Sequence, residues 1–324
     1  MPLDGPMWRL YVQRFKHNGK DGSIIIFKSH HSFCDGMSTM SMSLAMSSEY
    51  HRSYFVKGDD APWYIRIITR LSFPFIIPFL LWDTAQITKD ENHITKNKSK
   101  GFSGENNCDC TEDMIFKEIK ELSKKIGCSI NDLISSAITT GLRKLFKENG
   151  DDSKSIHIMV PASVRFEFYP KREDVKLENK FSAIPVKFPL SDTMEEAYPK
   201  IKKASLKLKN NFFNFLKTYA TYASTFYANS VAPHSATRRV IDTVSPNFTM
   251  GFSNLPGPIK PFYYENLAGT EKFFAMQSHT YIIVSGFVGV GIICMSFAES
   301  FKLTITSDTA LMSKEDNQKL VKYV

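Results

Sequence analysis

Residues 23–37 read Ser-Ile-Ile-Ile-Phe-Lys-Ser-His-His-Ser-Phe-Cys-Asp-Gly-Met. The β-branched run 23–29 predicts a strand, because such side chains pack well on a pleated surface. Gly36 lets the chain turn sharply, and the Met- and Ser-rich stretch 37–54 then predicts a helix. The segment His30, His31, Ser32, Phe33, Cys34, Asp35, Gly36 therefore falls in a strand-to-helix loop. An imidazole at a strand end is well placed for general base work, since its ordinary pKa lies near neutrality. Asp35, four residues on, can brace the loop. The bland alternative is a buried structural His pair beside a helix cap. Neighbouring residues on a strand point to opposite faces, so His30 and His31 do not readily share a metal ion, and no His-Glu-x-x-His is present. Upstream, the alternating run 8–15 predicts a strand, and Asn18-Gly19 and Asp21-Gly22 are turn signals, so 8–15 and 23–29 are expected to form a hairpin.

The rest of the chain is globular in composition. It has 324 residues, 43% hydrophobic and 23% charged, enough for one large domain or two ordinary ones. Lys+Arg exceed Asp+Glu by 41 − 33 = 8, which permits an anionic partner without selecting one. The 26 phenylalanines hint at something apolar. Cys34, Cys108, Cys110, Cys128 and Cys294 follow no disulfide or zinc spacing and read as reduced thiols. The first ten residues hold no apolar run, so no secretory signal is expected.

Two uncharged stretches invite a membrane reading. Residues 71–82 are only 12 long and contain Pro74 and Pro78, which predicts a buried or interfacial segment. Residues 281–298 are rich in Val, Ile and Gly and predict paired strands rather than a spanning helix. Residues 88–110 are polar and aperiodic, the best linker candidate. Helices are expected at 112–126, with Ile115, Ile119, Leu122 and Ile126 inward and Gly127 as the stop, and from Ser129, where Ser129-x-x-Asp132 resembles a capping box. Strands are expected at 156–160, closed by Pro161, at 180–188 and at 248–253. A largely helical 193–230 carries lysines first (Lys200, Lys202, Lys203, Lys207, Lys209) and aromatics second. Asn254-Leu255-Pro256-Gly257-Pro258 predicts a rigid turn, with strands to about 306 and a short final helix. Strands mixed with helices throughout give an α/β layered protein.

Other catalytic signatures fail. Gly251-Phe252-Ser253-Asn254-Leu255 lacks the closing glycine of a nucleophile elbow, and no Walker loop is present. Cys34 reads as a core thiol rather than a nucleophile. No RNA-recognition signature accompanies the lysines and aromatics.

His30-His31-x-x-x-Asp35-Gly36 resembles the active-site motif of acyl-CoA-dependent acyltransferases with the chloramphenicol-acetyltransferase fold. More narrowly, the chain resembles the wax ester synthase/diacylglycerol acyltransferase family. Further matches follow in order. Pro6-Met7-Trp8-Arg9 resembles that family's Pro-Leu-Trp segment, and Ser129-Ile130-Asn131-Asp132 its Asn-Asp helix motif. Val160-Pro161-Ala162-Ser163-Val164-Arg165 resembles its Val-Pro-x-Ser-x-Arg strand. Asn247 and Ser253-Asn254-Leu255-Pro256-Gly257-Pro258 resemble its Ser-Asn-x-Pro-Gly-Pro turn. The chain departs in two ways: it begins almost at the Pro-Leu-Trp segment, and Glu178 stands where a glycine usually precedes Asn179.

The resemblance implies a two-lobed chloramphenicol-acetyltransferase-like architecture, with an incomplete N-terminal lobe at 1–107 ending in the polar linker and a C-terminal lobe at 108–324. It implies transfer of a fatty acyl group from acyl-CoA to a long-chain alcohol or diacylglycerol, with no covalent intermediate, no cofactor beyond that co-substrate, no metal and no nucleic acid partner. His31 would be the general base, Asp35 would orient the loop, paired with an arginine such as Arg165, Gly36 would give clearance and His30 would be structural. Asn254 and Ser253 are the candidate oxyanion donors, and Asn131, Asp132 and Arg165 complete the substrate-side set. The lysines at 200–209 would meet CoA phosphates or anionic lipid, or form a solvated face. A membrane surface is the expected setting, the cytosolic face of the endoplasmic reticulum or another membrane. The rivals are an inactive lipid-binding relative and a condensation-type, amide-forming domain.

Overall fold

A computed structural model describes residues 5–17, 19–51, 54, 60–169, 171–207, 211–265, 272–275, 280 and 288–324. The chain divides into two compact units. The first comprises Met1–Arg52, Tyr169–Lys180 and Phe262–Phe273; the second comprises Ser53–Phe168, Phe181–Pro261 and Phe274–Val324.

The first unit opens with the expected hairpin, β1 (Trp8–His17) against β2 (Lys20–Ser29), in a continuous antiparallel register from Trp8↔Ser29 to His17↔Lys20. Gly19 lies in its turn with φ 76° and residue 18 lies outside the described residues, whereas Gly22 lies inside β2, not in a second turn. It faces Phe15, whose ring would stand 2.7 Å from a Cβ at that position. Glycine here is a floor for an aromatic ring. Helix α1 (Gly36–Met46) is shorter than the predicted 37–54, because Ser47 turns its hydroxyl back to the Leu44 carbonyl (2.6 Å) and ends the helix. Residues 52 and 53 of that expectation lie outside the described residues.

The second unit is built on a seven-stranded mixed sheet. Its strands are β3 (Asn106–Cys110), β4 (Met114–Ile115), β5 (Ser155–Ser163), β6 (Phe181–Pro189), β7 (Met250–Leu255), β10 (Val290–Phe297) and β11 (Ser300–Asp308). They run in the order β3-β11-β10-β7-β5-β6, with β4 also on β11. A separate short pair, β8 (Tyr263–Glu265) and β9 (Lys272–Phe274), falls between β7 and β10 in the chain. β7 is parallel to both β5 and β10, whereas β10–β11 and β5–β6 are antiparallel. Every residue of β10 is buried, which explains its uninterrupted apolar sequence. Of the stretch 281–298, residues 290–297 form β10, which pairs with β11 just beyond it; residues 281–287 lie outside the described residues. β5 does not stop at Pro161, which lies opposite Ala183 of β6, but runs on to Ser163, opposite Phe181. β7 pairs only with Ile158 and Met159, so a missing N–H at 161 breaks no ladder bond on that side.

Helices α4 (Phe116–Ile126), α5 (Ile130–Glu148), α6 (Met194–Leu206), α7 (Phe212–Val231), α8 (His234–Val244) and α9 (Lys314–Tyr323) complete this unit together with α2 (Trp63–Ala85) and α3 (His93–Lys98). Leu142, Leu145 and Phe146 of α5 are fully buried with Ile156, Ile158, Ile292 and Ile305 of the sheet in one core. The Ser129 capping box and the Gly127 stop (φ 70°) form as expected. Ile115, however, belongs to β4 and is exposed, as is Leu122, so the first helix starts at Phe116.

Two expectations are corrected. Residues 88–110 are not a linker: Asn92 caps α3, residues 106–110 are β3, and Asp90, Asn92, Thr95 and Lys98 are buried. Asp90 accepts from the His157 N–H (2.6 Å) and from the Thr249 hydroxyl (2.5 Å), and Asn92 donates to Thr249 (2.6 Å). Polar sequence here marks a satisfied polar network rather than exposure. Residues on both sides of position 107 accordingly lie in one unit. The stretch 71–82 is not a short segment broken by its prolines; it is the central part of the continuous 23-residue helix α2.

Candidate active site

The loop carrying His30 and His31 leaves β2 at Ser29 and enters α1 at Gly36, as its sequence predicts. Asp35 is the N-cap: its Oδ1 accepts from the Ser38 N–H (2.9 Å), one of the donors a helix start leaves without a partner. Its second oxygen, Oδ2, accepts from the Lys180 N–H (2.9 Å). This buried carboxylate thus joins the loop to residues 178–180, which belong to the same unit.

That segment clamps the loop. The Asp35 N–H and the Ser38 hydroxyl both donate to the Glu178 carbonyl (3.2 and 2.9 Å), and the Glu178 N–H donates back to Ser38 Oγ (3.3 Å). Asn179 Nδ2 donates to the His31 carbonyl (2.8 Å). Asn179 Oδ1 is buried and has no hydrogen-bond partner among the described residues. Glu178, the departure from a usual glycine, is itself held through its side chain by Tyr169 and Lys180, both at 2.9 Å.

The two histidines have different surroundings. His30 is fixed: its N–H donates to the Met7 carbonyl (2.8 Å) and its Nδ1 accepts from the Ser32 N–H (3.2 Å). An accepting Nδ1 puts the proton of the neutral ring on Nε2. The clamp grips His31 by its backbone carbonyl, and the residue is exposed. Cys34 is buried, with Sγ 3.2 Å from Thr39 Oγ1, a packing position.

The other sequence-predicted residues lie in the second unit, where two motifs distant in sequence meet. Asn254, on β7, donates through Nδ2 to Asn131 Oδ1 on the first turn of α5. The neighbouring Asp132 is buried and spent on structure: it accepts from the Ser129 N–H (3.1 Å), the Ser129 hydroxyl (2.7 Å) and the Ser205 hydroxyl (2.5 Å). Ser253 sits beside Ile293 of β10 in the ladder. Arg165 follows β5 and is buried, with its N–H on Ser163 Oγ (3.3 Å). Gly257 has a steric role: a Cβ there would fall 1.7 Å from the Ser296 carbonyl oxygen. Lys200 is occupied by Ser191 (3.2 Å) and Glu196 (3.6 Å), and Lys202 by the Gly127 carbonyl. Lys209 lies outside the described residues.

One perturbed group lies away from these residues. Burial pushes the Lys98 ammonium down to about 7, opposed by the nearby Asp90 carboxylate; its Nζ donates to the Phe248 carbonyl. Sequence inspection missed this cluster and the 178–180 clamp alike, because backbone atoms do most of the bonding and carry no residue signature.

Comparison with known proteins gives consistent matches. The WS/DGAT C-terminal domain family matches residues 177–324. A wax ester synthase/diacylglycerol acyltransferase of Arabidopsis thaliana is 24% identical over a stretch covering 47% of this chain and 34% of the relative. The match therefore spans about a third of that protein's length. Among solved structures, the wax ester synthase/diacylglycerol acyltransferase of Marinobacter aquaeolei VT8 superposes with a TM-score of 0.54 at 16% identity, over 100% of this chain and 71% of that one. The first condensation domain of the calcium-dependent antibiotic synthetase gives a TM-score of 0.56 at 10% identity, over 97% and 66% of the two chains. The fold is accordingly the chloramphenicol-acetyltransferase-like α/β fold that these proteins share.

Proposed function

We propose, from the match of residues 177–324 to the WS/DGAT C-terminal domain family, that the protein is an O-acyltransferase moving a fatty acyl group from acyl-CoA to a long-chain alcohol or diacylglycerol. The supporting observation is the loop itself: an exposed His31 on a turn whose backbone is tied to residues 178–180.

The chemistry is complete in atoms. The His31 imidazole takes the proton of the acceptor hydroxyl as its oxygen attacks the thioester carbonyl. Collapse of the tetrahedral centre forms the ester and breaks the carbon–sulfur bond. The imidazolium returns its proton to the departing CoA thiolate. No acyl-enzyme forms, and acyl-CoA is a co-substrate rather than a resident cofactor. Proton transfer of this kind contributes about 10²–10⁴-fold, and positioning must contribute the rest.

Asp35 is a positioning residue, buried beneath the loop and joining it to residues 178–180. Gly36 opens the helix without a side chain near the imidazole, and His30, bonded to Ser32, is structural. Asn254 and Ser253 are the proposed substrate-side polar groups, with Asn131 orienting Asn254. Asp132 acts through the fold of α5. Long-chain acceptors dissolve in bilayers, so the proposed setting is a membrane surface, such as the cytosolic face of the endoplasmic reticulum.

The test is product analysis with purified protein, radiolabelled palmitoyl-CoA and either hexadecanol or diacylglycerol. Labelled wax ester or triacylglycerol above a no-enzyme control is expected. Absence of both would leave a lipid-binding relative without catalysis, and a labelled amide from an amine acceptor would favour condensation chemistry.

A further inference from the structure

Helix α2 is apolar on the side that the described residues leave exposed. It runs antiparallel to α7, with Phe73 on Tyr227 (5.8 Å), Phe79 on Phe213 (5.2 Å) and the Lys217–Asp83 ion pair (2.7 Å) fixing the direction. Ile76, Leu216 and Ala220 are buried in the seam, with Phe73 and Leu80 packed on them. A surface helix ordinarily turns polar residues outward. Here the outward face shows Trp63, Leu71, Phe75 and Trp82, which are 72%, 68%, 75% and 68% exposed. Continuous apolar surface of this kind marks an interaction site.

The face also has a charge sign. From Trp63 to Trp82 the helix holds no carboxylate; of its two arginines, Arg66 is paired with Glu167 and Arg70 is exposed. The whole chain is +8. Tryptophans at both ends of an apolar stripe, with the exposed Arg70 and no carboxylate between them, suit the headgroup level of an anionic bilayer. The tryptophans stand 19 residues apart, roughly 28 Å along the axis, a length that would also span a membrane. Crossing is disfavoured because α7 packs on β6, a strand of the seven-stranded sheet. A helix pair fastened to a sheet cannot cross without taking the sheet with it.

We infer that α2, backed by α7, lies flat in the headgroup region of an anionic membrane, with Trp63, Leu71, Phe75 and Trp82 inserted. The inference deepens the function proposed above by naming the surface through which an apolar acceptor is met, and its test is independent of turnover.

The protein has three tryptophans, Trp8, Trp63 and Trp82, so its own fluorescence reports the contact. Purified full-length chain is mixed with vesicles of phosphatidylcholine alone, or with phosphatidylserine added, in plain and brominated forms. Cosedimentation stronger with phosphatidylserine, and fluorescence quenching by brominated lipid that survives Trp8→Phe but is lost in Trp63→Phe/Trp82→Phe, are expected. Leu71→Gln/Phe75→Gln should lower the vesicle-bound fraction roughly tenfold, with an unchanged far-ultraviolet circular dichroism spectrum. Failure to bind either vesicle, or binding unaltered by the α2 substitutions, would overturn the inference. So would a concentration-dependent dimer abolished by Leu71→Gln/Phe75→Gln, which would make a second copy the occupant. Ester formation from detergent-dispersed hexadecanol is measured alongside: an active protein that ignores vesicles sinks only the membrane surface, and a binding protein without turnover sinks only the enzyme.

Discussion

The two regions that carry the motifs use their polar side chains differently. In the second unit, Asp132 is spent on the Ser129 cap and on Ser205, Asn131 and Asn254 are paired with each other, and Gly257 exists because Ser296 leaves no room for a Cβ. In the first unit, the 30–36 loop is held by Asp35 and by backbone groups, and His31 enters the clamp through its carbonyl while the residue is exposed. A motif can therefore be shared because the fold needs it or because the reaction needs it. Where a side chain is spent on the fold, substitution should cost stability; where it is proposed to meet the substrate, substitution should cost rate.

Substitutions can break that division or sharpen it. Gly257→Ala should have the largest effect, more than about 3 kcal/mol of stability, because the new methyl group meets a backbone carbonyl that cannot rotate away; a melting temperature close to wild type would show that the turn yields. Asp35→Ala removes a helix cap and leaves the Lys180 N–H buried without its acceptor. A loss of about 2 kcal/mol in denaturant unfolding is expected, with a fall in activity, and stability unchanged from wild type would remove the clamp from the account. Asn179→Ala deletes the bond to the His31 carbonyl but also a buried oxygen with no described partner. Its stability change should therefore stay under about 1 kcal/mol, while kcat falls roughly tenfold through a misplaced loop. A purely structural role would reverse that ordering.

The smallest effect is a pH dependence. Lys98, at about 7 rather than 10.5, is less protonated in the folded chain than in the unfolded chain between those values. The unfolded state holds more protons there, so the contribution of Lys98 to stability rises with pH from about 7 towards 10. Melting temperatures of wild type and Lys98→Met should drift apart in that direction, in favour of wild type. Parallel curves would mean that the ammonium is not desolvated.

Much of this was legible in residues 23–37 alone. β-Branched residues, a helix-capping aspartate and a permissive glycine specify strand, loop and helix locally, and the structure supplies all three. The α5 cap and the β10–β11 pair were legible for the same reason. The linker at 88–110 misled because polar residues there satisfy one another inside the protein, around Asp90 and Thr249. Pro161 misled because a missing N–H matters only where a partner was waiting, and β7 does not reach it. The resemblance singled out Glu178 and Asn179 but not the 178–180 clamp, whose bonds reach backbone and side-chain atoms about 140 residues away in sequence.

The most direct test is CoA release from palmitoyl-CoA in the presence of hexadecanol, measured for wild type and His31→Ala with melting temperatures in parallel. A rate lower by about 10²–10⁴-fold at an unchanged melting temperature is the predicted result. A variant that keeps wild-type turnover would mean that some other group takes the proton, and the chemistry assigned to this loop would be wrong.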